Sequence, residues 1–133
     1  MTPEQLLNHA IQARNFAYAP YSGYRVGAAL LGTDGTVYTG CNIENAAYPA
    51  TVCAERTALF KAVSGGCRSF TALAVVAGRN APDSCACPCG VCRQALSEFC
   101  LPEMPVYLLD GGEVLTLTMG ELLPHRFGKN QLE

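Results

Sequence analysis

The chain has 133 residues, half of them hydrophobic and 15% charged, a balance that supports one folded core and excludes a disordered protein. Its formal net charge is −2, and its nine Lys and Arg residues are scattered from Arg14 to Lys129. Without a basic patch to track a phosphate backbone, the composition argues against a nucleic-acid partner and for a small neutral substrate.

Residues from about Thr2 to Ala17 predict a helix: Thr2 can cap it, Pro3 suits its first position, and Leu6, Leu7, Ala10 and Ile11 recur on one face. The stretch Tyr18-Ala-Pro-Tyr-Ser-Gly23 breaks it. Tyr24 to Leu31 and Thr36 to Asn42 read as two strands joined by the hairpin turn Gly32-Thr-Asp-Gly35. From Cys53 to about Val63 the apolar residues return to helical spacing, and Gly65-Gly66 ends the run. Ala72 to Ala77 reads as a buried strand, about Gly90 to Phe99 as a helix, and Pro105 to Leu109 as a further strand. Val114 to Leu117 supplies a fifth strand, and Gly120 to Leu123 a short helical segment.

The strand-helix-strand run from Ala72 to Leu109 calls for parallel pairing, whereas the opening hairpin is antiparallel. The expected fold is a three-layer α/β/α sandwich around a mixed, about five-stranded sheet, one domain over residues 1–133. The start, Met1-Thr-Pro-Glu-Gln5, has neither the basic residues nor the apolar run of a secretory signal. No apolar stretch is long enough to cross a bilayer, so the expectation is a soluble cytoplasmic protein with no membrane partner.

Eight cysteines need a reason, and no export signal supports disulfides. Four fall between Cys85 and Cys92, which points to metal binding. Cys53 and the Pro88-Cys89-Gly-Val-Cys92 cluster each sit where a helix is expected to begin. There the unpaired backbone N–H groups and the helix dipole favour thiolate over thiol. Three thiolates at tetrahedral positions suit one zinc ion with the fourth position open to water, the arrangement of a catalytic site. Cys85, Cys87 and Cys89 form a Cys-x-Cys-x-Cys run, so spacing alone leaves the ligand choice open. Pro88 and the helix after Cys92 favour Cys89 and Cys92, while a structural zinc completed by Cys85 or Cys87 is the alternative. Cys41, Cys67 and Cys100 read as ordinary thiols, and His9 and His125 show no ligand spacing.

Glu55, two residues after Cys53, is a poor fourth ligand for a site with three thiolates but a useful proton carrier beside it. Arg56 can donate hydrogen bonds to the sulfurs and offset the net charge of about −1 that three thiolates leave on zinc.

The stretches Tyr24-Arg-Val-Gly-Ala-Ala-Leu30, Gly40-Cys-Asn-Ile-Glu-Asn-Ala-Ala-Tyr48, Thr51-Val-Cys-Ala-Glu-Arg-Thr-Ala-Leu59 and Pro88-Cys-Gly-Val-Cys-Arg-Gln94 occur in order along most of the chain. Together they resemble the homotetrameric, three-cysteine class of cytidine deaminases. The Cys-x-Glu and Pro-Cys-x-x-Cys signature of zinc deaminases lies within them. The resemblance implies one zinc ion per subunit held by Cys53, Cys89 and Cys92, with Glu55 as the proton shuttle. It implies ribose binding by Asn42 and Glu44, an aromatic wall at Tyr24 where the family often has Phe, and backbone contacts to the base near Ala54. Tyr48 and Phe127 would lie at subunit boundaries, Phe127 completing a neighbour's pocket in a homotetramer. The implied reaction is attack of zinc-bound hydroxide at C4 of cytidine or 2'-deoxycytidine, releasing ammonia and uridine or 2'-deoxyuridine in pyrimidine salvage. A deaminase of another small amine and a non-enzymatic zinc module are the competing readings.

Overall fold

The computed structural model describes residues 1–133. Helix α1 (Pro3–Arg14) opens with a capping box: the Thr2 hydroxyl accepts from Gln5 N at 3.1 Å, and Gln5 Oε1 accepts from Thr2 N at 2.9 Å. It ends three residues before the expected Ala17. Asn15, Phe16 and Ala17 bond to carbonyls three residues back in a tight turn, which leaves Phe16 in solvent and sends Tyr18 to pair with Ile43.

The strands are β1 (Arg25–Gly32), β2 (Val37–Cys41), β3 (Phe70–Gly78), β4 (Pro105–Asp110) and β5 (Glu113–Thr118). The other helices are α2 (Ala54–Ser64), α3 (Gly90–Ser97) and the single turn α4 (Met119–Leu122). Two short 3-10 turns, Tyr48–Ala50 and Lys129–Leu132, were not foreseen in the sequence. The sheet order is β2-β1-β3-β4-β5. Only the β3–β4 pair, joined through α3, is parallel; the other neighbours are antiparallel. This is the mixed five-stranded sheet expected from the element order.

Strand alternation divides the core in two. Ala28, Leu30, Leu73, Val75, Val106 and Leu108 face one way and pack with Ala58 and Leu59 of α2 and Leu96 of α3. Ala29, Ala72, Ala74 and Val76 face the other way, against Leu6, Leu7 and Ala10 of α1. The result is three layers. Leu30, Leu59, Leu73, Leu96 and Leu108 are wholly buried, each contributing about 1.5–3 kcal/mol by the usual transfer scale.

Two glycines let helices touch the sheet. A Cβ at Gly27 would overlap the Ala10 carbonyl oxygen and stand 2.6 Å from Arg14 N, so α1 crosses β1 there. A Cβ at Gly40 would stand 2.5 Å from both Ala54 O and Ala58 N, so the start of α2 rests directly on β2. That second contact sets the height of α2's first turn, and with it the position of Cys53 and Glu55.

Candidate active site

Cys53 is the N-cap of α2 (φ −78°, ψ 157°), Cys89 is the N-cap of α3 (φ −69°, ψ 169°), and Cys92 lies in the first turn of α3. An N-cap side chain ordinarily accepts a bond from a backbone N–H of its own helix, but neither cysteine does, which leaves both sulfurs able to turn to other partners. The three sulfurs lie within 4.8 Å of one another, with Cys53 and Cys89 3.8 Å apart. Two sulfurs bound to one tetrahedral zinc at the usual bond length stand about 3.8 Å apart. Donor set and spacing therefore fit one zinc ion. No fourth thiol, imidazole or carboxylate joins the group, and Cys85 and Cys87 remain outside it, against the structural-zinc alternative. Cys92 is fully buried, Cys53 half-buried and Cys89 exposed, so the group opens on one side.

Charge is arranged around these sulfurs. A hydrogen bond from Cys92 lowers the Cys53 thiol to about 5 against the opposing effect of burial, with help from Arg56 and Cys89. The same bond, with burial, raises Cys92 well above the usual thiol range. Arg56 Nη2 stands 3.6 Å from Cys53 Sγ, the contact expected of it. Its Nε is buried without a partner, and hydrogen bonds to Cys53 and Cys92 raise the guanidinium further against burial.

Glu55 is only 4% exposed. Burial raises its carboxyl to about 7, the Cys53 thiolate adds to that, and its own backbone N–H and Arg56 oppose it. A carboxyl poised near neutrality can both take and return a proton.

A cavity of about 250 Å³ opens beside these groups, smaller than a typical drug-sized pocket and suited to a small ligand. Tyr24, Val26, Val75 and Ala54 give it an apolar wall, and Asn42, Glu44, Cys53, Glu55 and Cys89 reach it. Asn42 is positioned by two backbone bonds: Oδ1 accepts from Val26 N at 2.9 Å, and Nδ2 donates to Tyr24 O at 2.8 Å. Glu44 accepts from Tyr21 N, Ser22 N and the Ser22 hydroxyl, which hold its carboxyl below the usual range against slight burial. Both residues therefore shape the Tyr18–Tyr24 loop, and both line the cavity with hydrogen-bonding capacity to spare: a second N–H on Asn42 Nδ2 and further lone pairs on the Glu44 carboxylate.

Two expected residues stay outside. Tyr48, 74% exposed, stacks edge-on against Tyr21 over the neighbouring cleft, and Phe127 is an exposed ring whose carbonyl accepts from Gln94 Nε2. The sequence reading missed Ser22, which satisfies Glu44, and Ser84, whose hydroxyl bonds the Tyr24 hydroxyl at 2.8 Å. The Tyr24 hydroxyl signalled that some partner was needed, but nothing local named one sixty residues away. Among the remaining thiols, burial raises Cys100 to about 12, and burial with Asp110 and Cys87 nearby raises Cys85. A larger cleft of about 700 Å³, lined by Arg68, Arg126 and Lys129, contains none of the metal or proton-transfer groups.

An open three-sulfur metal group beside a buried carboxyl, set at two helix starts of an α/β/α sandwich, is the equipment of a zinc hydrolase. Residues 1–108 match the family described as the cytidine and deoxycytidylate deaminase zinc-binding region, a span that includes all three sulfurs and Glu55 and ends before Phe127. A cytidine deaminase of Sporosarcina psychrophila is 56% identical over 99% of this chain and 96% of its own length. One from Halalkalibacterium halodurans is 52% identical over 96% and 95%. The crystal structure of cytidine deaminase from Burkholderia pseudomallei is similar at a TM-score of 0.88 and 46% identity, covering 96% of this chain and 100% of that one. The chain belongs to the cytidine and deoxycytidylate deaminase family.

Proposed function

We propose that the chain hydrolyses the exocyclic amine of cytidine and 2'-deoxycytidine, giving uridine and 2'-deoxyuridine plus ammonia, as a step of pyrimidine salvage. One observation carries this reading: a buried carboxyl, Glu55, raised to about 7 next to three sulfurs that fit zinc and are open to a nucleoside-sized cavity. The names of the relatives support the substrate.

Cys53, Cys89 and Cys92 would hold the ion, and Arg56 would offset their charge. When bound, zinc supplies Lewis acidity that makes a water nucleophile available near neutral pH. Glu55 accepts a proton from the attacking water and delivers it to N3 of the pyrimidine; a second transfer through the same carboxyl lets the C4 amine leave as ammonia. Asn42 and Glu44 bind the sugar hydroxyls with the N–H and lone pairs that their loop bonds leave unused. Tyr24, Val26 and Val75 press on the base and keep bulk water from it, while the backbone near Ala54 reads the pyrimidine edge. We place the reaction in the cytoplasm and in a homotetramer; no helix of the chain is long and apolar enough to cross a membrane. The exposed rings of Tyr48 and Phe127 support contact between copies, with the number four taken from the resemblance.

The test is uridine and ammonia formation from cytidine, with zinc measured on the same sample. Glu55→Gln is expected to keep its zinc and lose nearly all turnover. A fully zinc-loaded chain inert towards both nucleosides, or an active Gln variant, refutes the assignment.

A further inference from the structure

Two cysteines of the metal-bearing loop are left over. Cys85 and Cys87 lie outside the three-sulfur group, are exposed, and make no hydrogen bond through sulfur. Burial alternates along the segment: Cys85, Cys87 and Cys89 are exposed, Ala86 is half-buried, and Pro88 is buried. All three cysteines of this stretch are thus reachable from solvent.

The segment is tied down at both ends. Ser84 pairs with Ala77 and bonds the Tyr24 hydroxyl, and the Pro88 carbonyl accepts from Arg93 Nε at 2.6 Å. Between those anchors, Cys87 reaches the wall of the same cavity that Cys53, Glu55 and Cys89 line. Exposure falls from this stretch into the site: Cys85, Cys87 and Cys89 are exposed, Cys53 is half-buried, and Cys92 is fully buried.

An incoming hydrated ion has to exchange water for sulfur on its way to Cys92, past an apolar wall that offers few donors of its own. We propose that Cys85 and Cys87 are an entry path for zinc, taking the ion at the rim and handing it to Cys89, from which Cys53 and Cys92 complete its capture. Soft thiolate donors suit zinc, and a row of them lets each sulfur replace the last without the ion returning to solvent. Each handover is a ligand exchange. The incoming thiol releases its proton to solvent as its sulfur bonds zinc, and the departing sulfur takes a proton up. No electrons move and no oxidant is needed.

The inference rests on zinc being held by Cys53, Cys89 and Cys92, and its test reads metal uptake rather than turnover. Full-length chain is stripped of metal and kept reduced with a phosphine. Zinc is then offered as its complex with a coloured chelator, and uptake is followed by the chelator's absorbance. Cys85→Ser/Cys87→Ser is expected to reach the same one zinc per chain as wild type, severalfold more slowly. Cys87→Ser alone is expected to slow uptake more than Cys85→Ser, and Cys67→Ser, a thiol off the path, not at all. Equal rates in wild type and double variant overturn the entry path. So does a double variant that ends with less than one zinc, because those sulfurs would then retain the metal rather than pass it on. A wild-type chain that takes up no zinc refutes the three-sulfur assignment and this inference with it.

Discussion

Gly40→Ala tests the contact that sets the height of the catalytic helix. The added methyl would stand 2.5 Å from Ala54 O and Ala58 N, against about 3.4 Å for ordinary contact, so α2 has to retreat by roughly 1 Å. Overpacking of this kind costs about 1–3 kcal/mol, offset in part by the roughly 0.5–1 kcal/mol gained by replacing glycine within a strand. The larger effect is positional. Cys53 and Glu55 flank Ala54 at the helix start, and a misplacement of about 1 Å at a reacting group can cost on the order of 100-fold in rate. Gly27→Ala is the matched control: its methyl strikes α1, which packs on the face of the sheet opposite α2. Urea unfolding of both variants, zinc loss to a chelator and cytidine turnover separate the two effects. Gly40→Ala is expected to shed zinc faster and lose most of its activity. Gly27→Ala is expected to lose stability while retaining metal and turnover in the folded fraction. Equal zinc retention by the two variants at matched stability would refute the claim that Gly40 positions the site.

Glu55 gives the metal-free chain a pH dependence whose sign follows from burial. Its folded carboxyl is raised from 4.5 to about 7, so between those values the folded chain holds a proton that the unfolded chain has released. Its contribution to stability therefore falls as pH rises through that window, by about 3 kcal/mol once both states are ionised. Measured as the difference between wild type and Glu55→Gln, this slope is expected in urea melts of metal-free protein; parallel curves would rule it out. Arg56→Gln removes the guanidinium 3.6 Å from Cys53 Sγ and should weaken zinc binding about 10–100-fold. In the same metal-free variant the Cys53 thiol should rise from about 5, read as an alkylation rate that climbs at higher pH than in wild type. Unchanged zinc release and an unchanged alkylation profile would show that Arg56 has no hold on the sulfurs.

Much of the site was legible because its signals are local. Thr2-Pro3 starts a helix, Asp34-Gly35 turns a hairpin, and Cys53 and Cys89 sit at helix starts, each depending on backbone groups a few residues away. The Cys53-Ala-Glu55 and Pro88-Cys-Gly-Val-Cys92 pattern, with its spacing, points to three sulfurs and a proton carrier from the sequence alone. Helix ends were less legible, because the last turn of α1 competes with the demand of Tyr18 to pair with Ile43. Only the packed chain decided that Cys85 and Cys87 stay outside the sulfur group, since nearest neighbours in sequence need not converge in space. Only packing decided that Ser84 meets Tyr24, that Ser22 occupies Glu44, and that Glu55 is buried deeply enough to hold its proton near neutrality. Capping and periodicity are written in adjacent residues, whereas partner choice and desolvation depend on segments brought together by the sheet order β2-β1-β3-β4-β5.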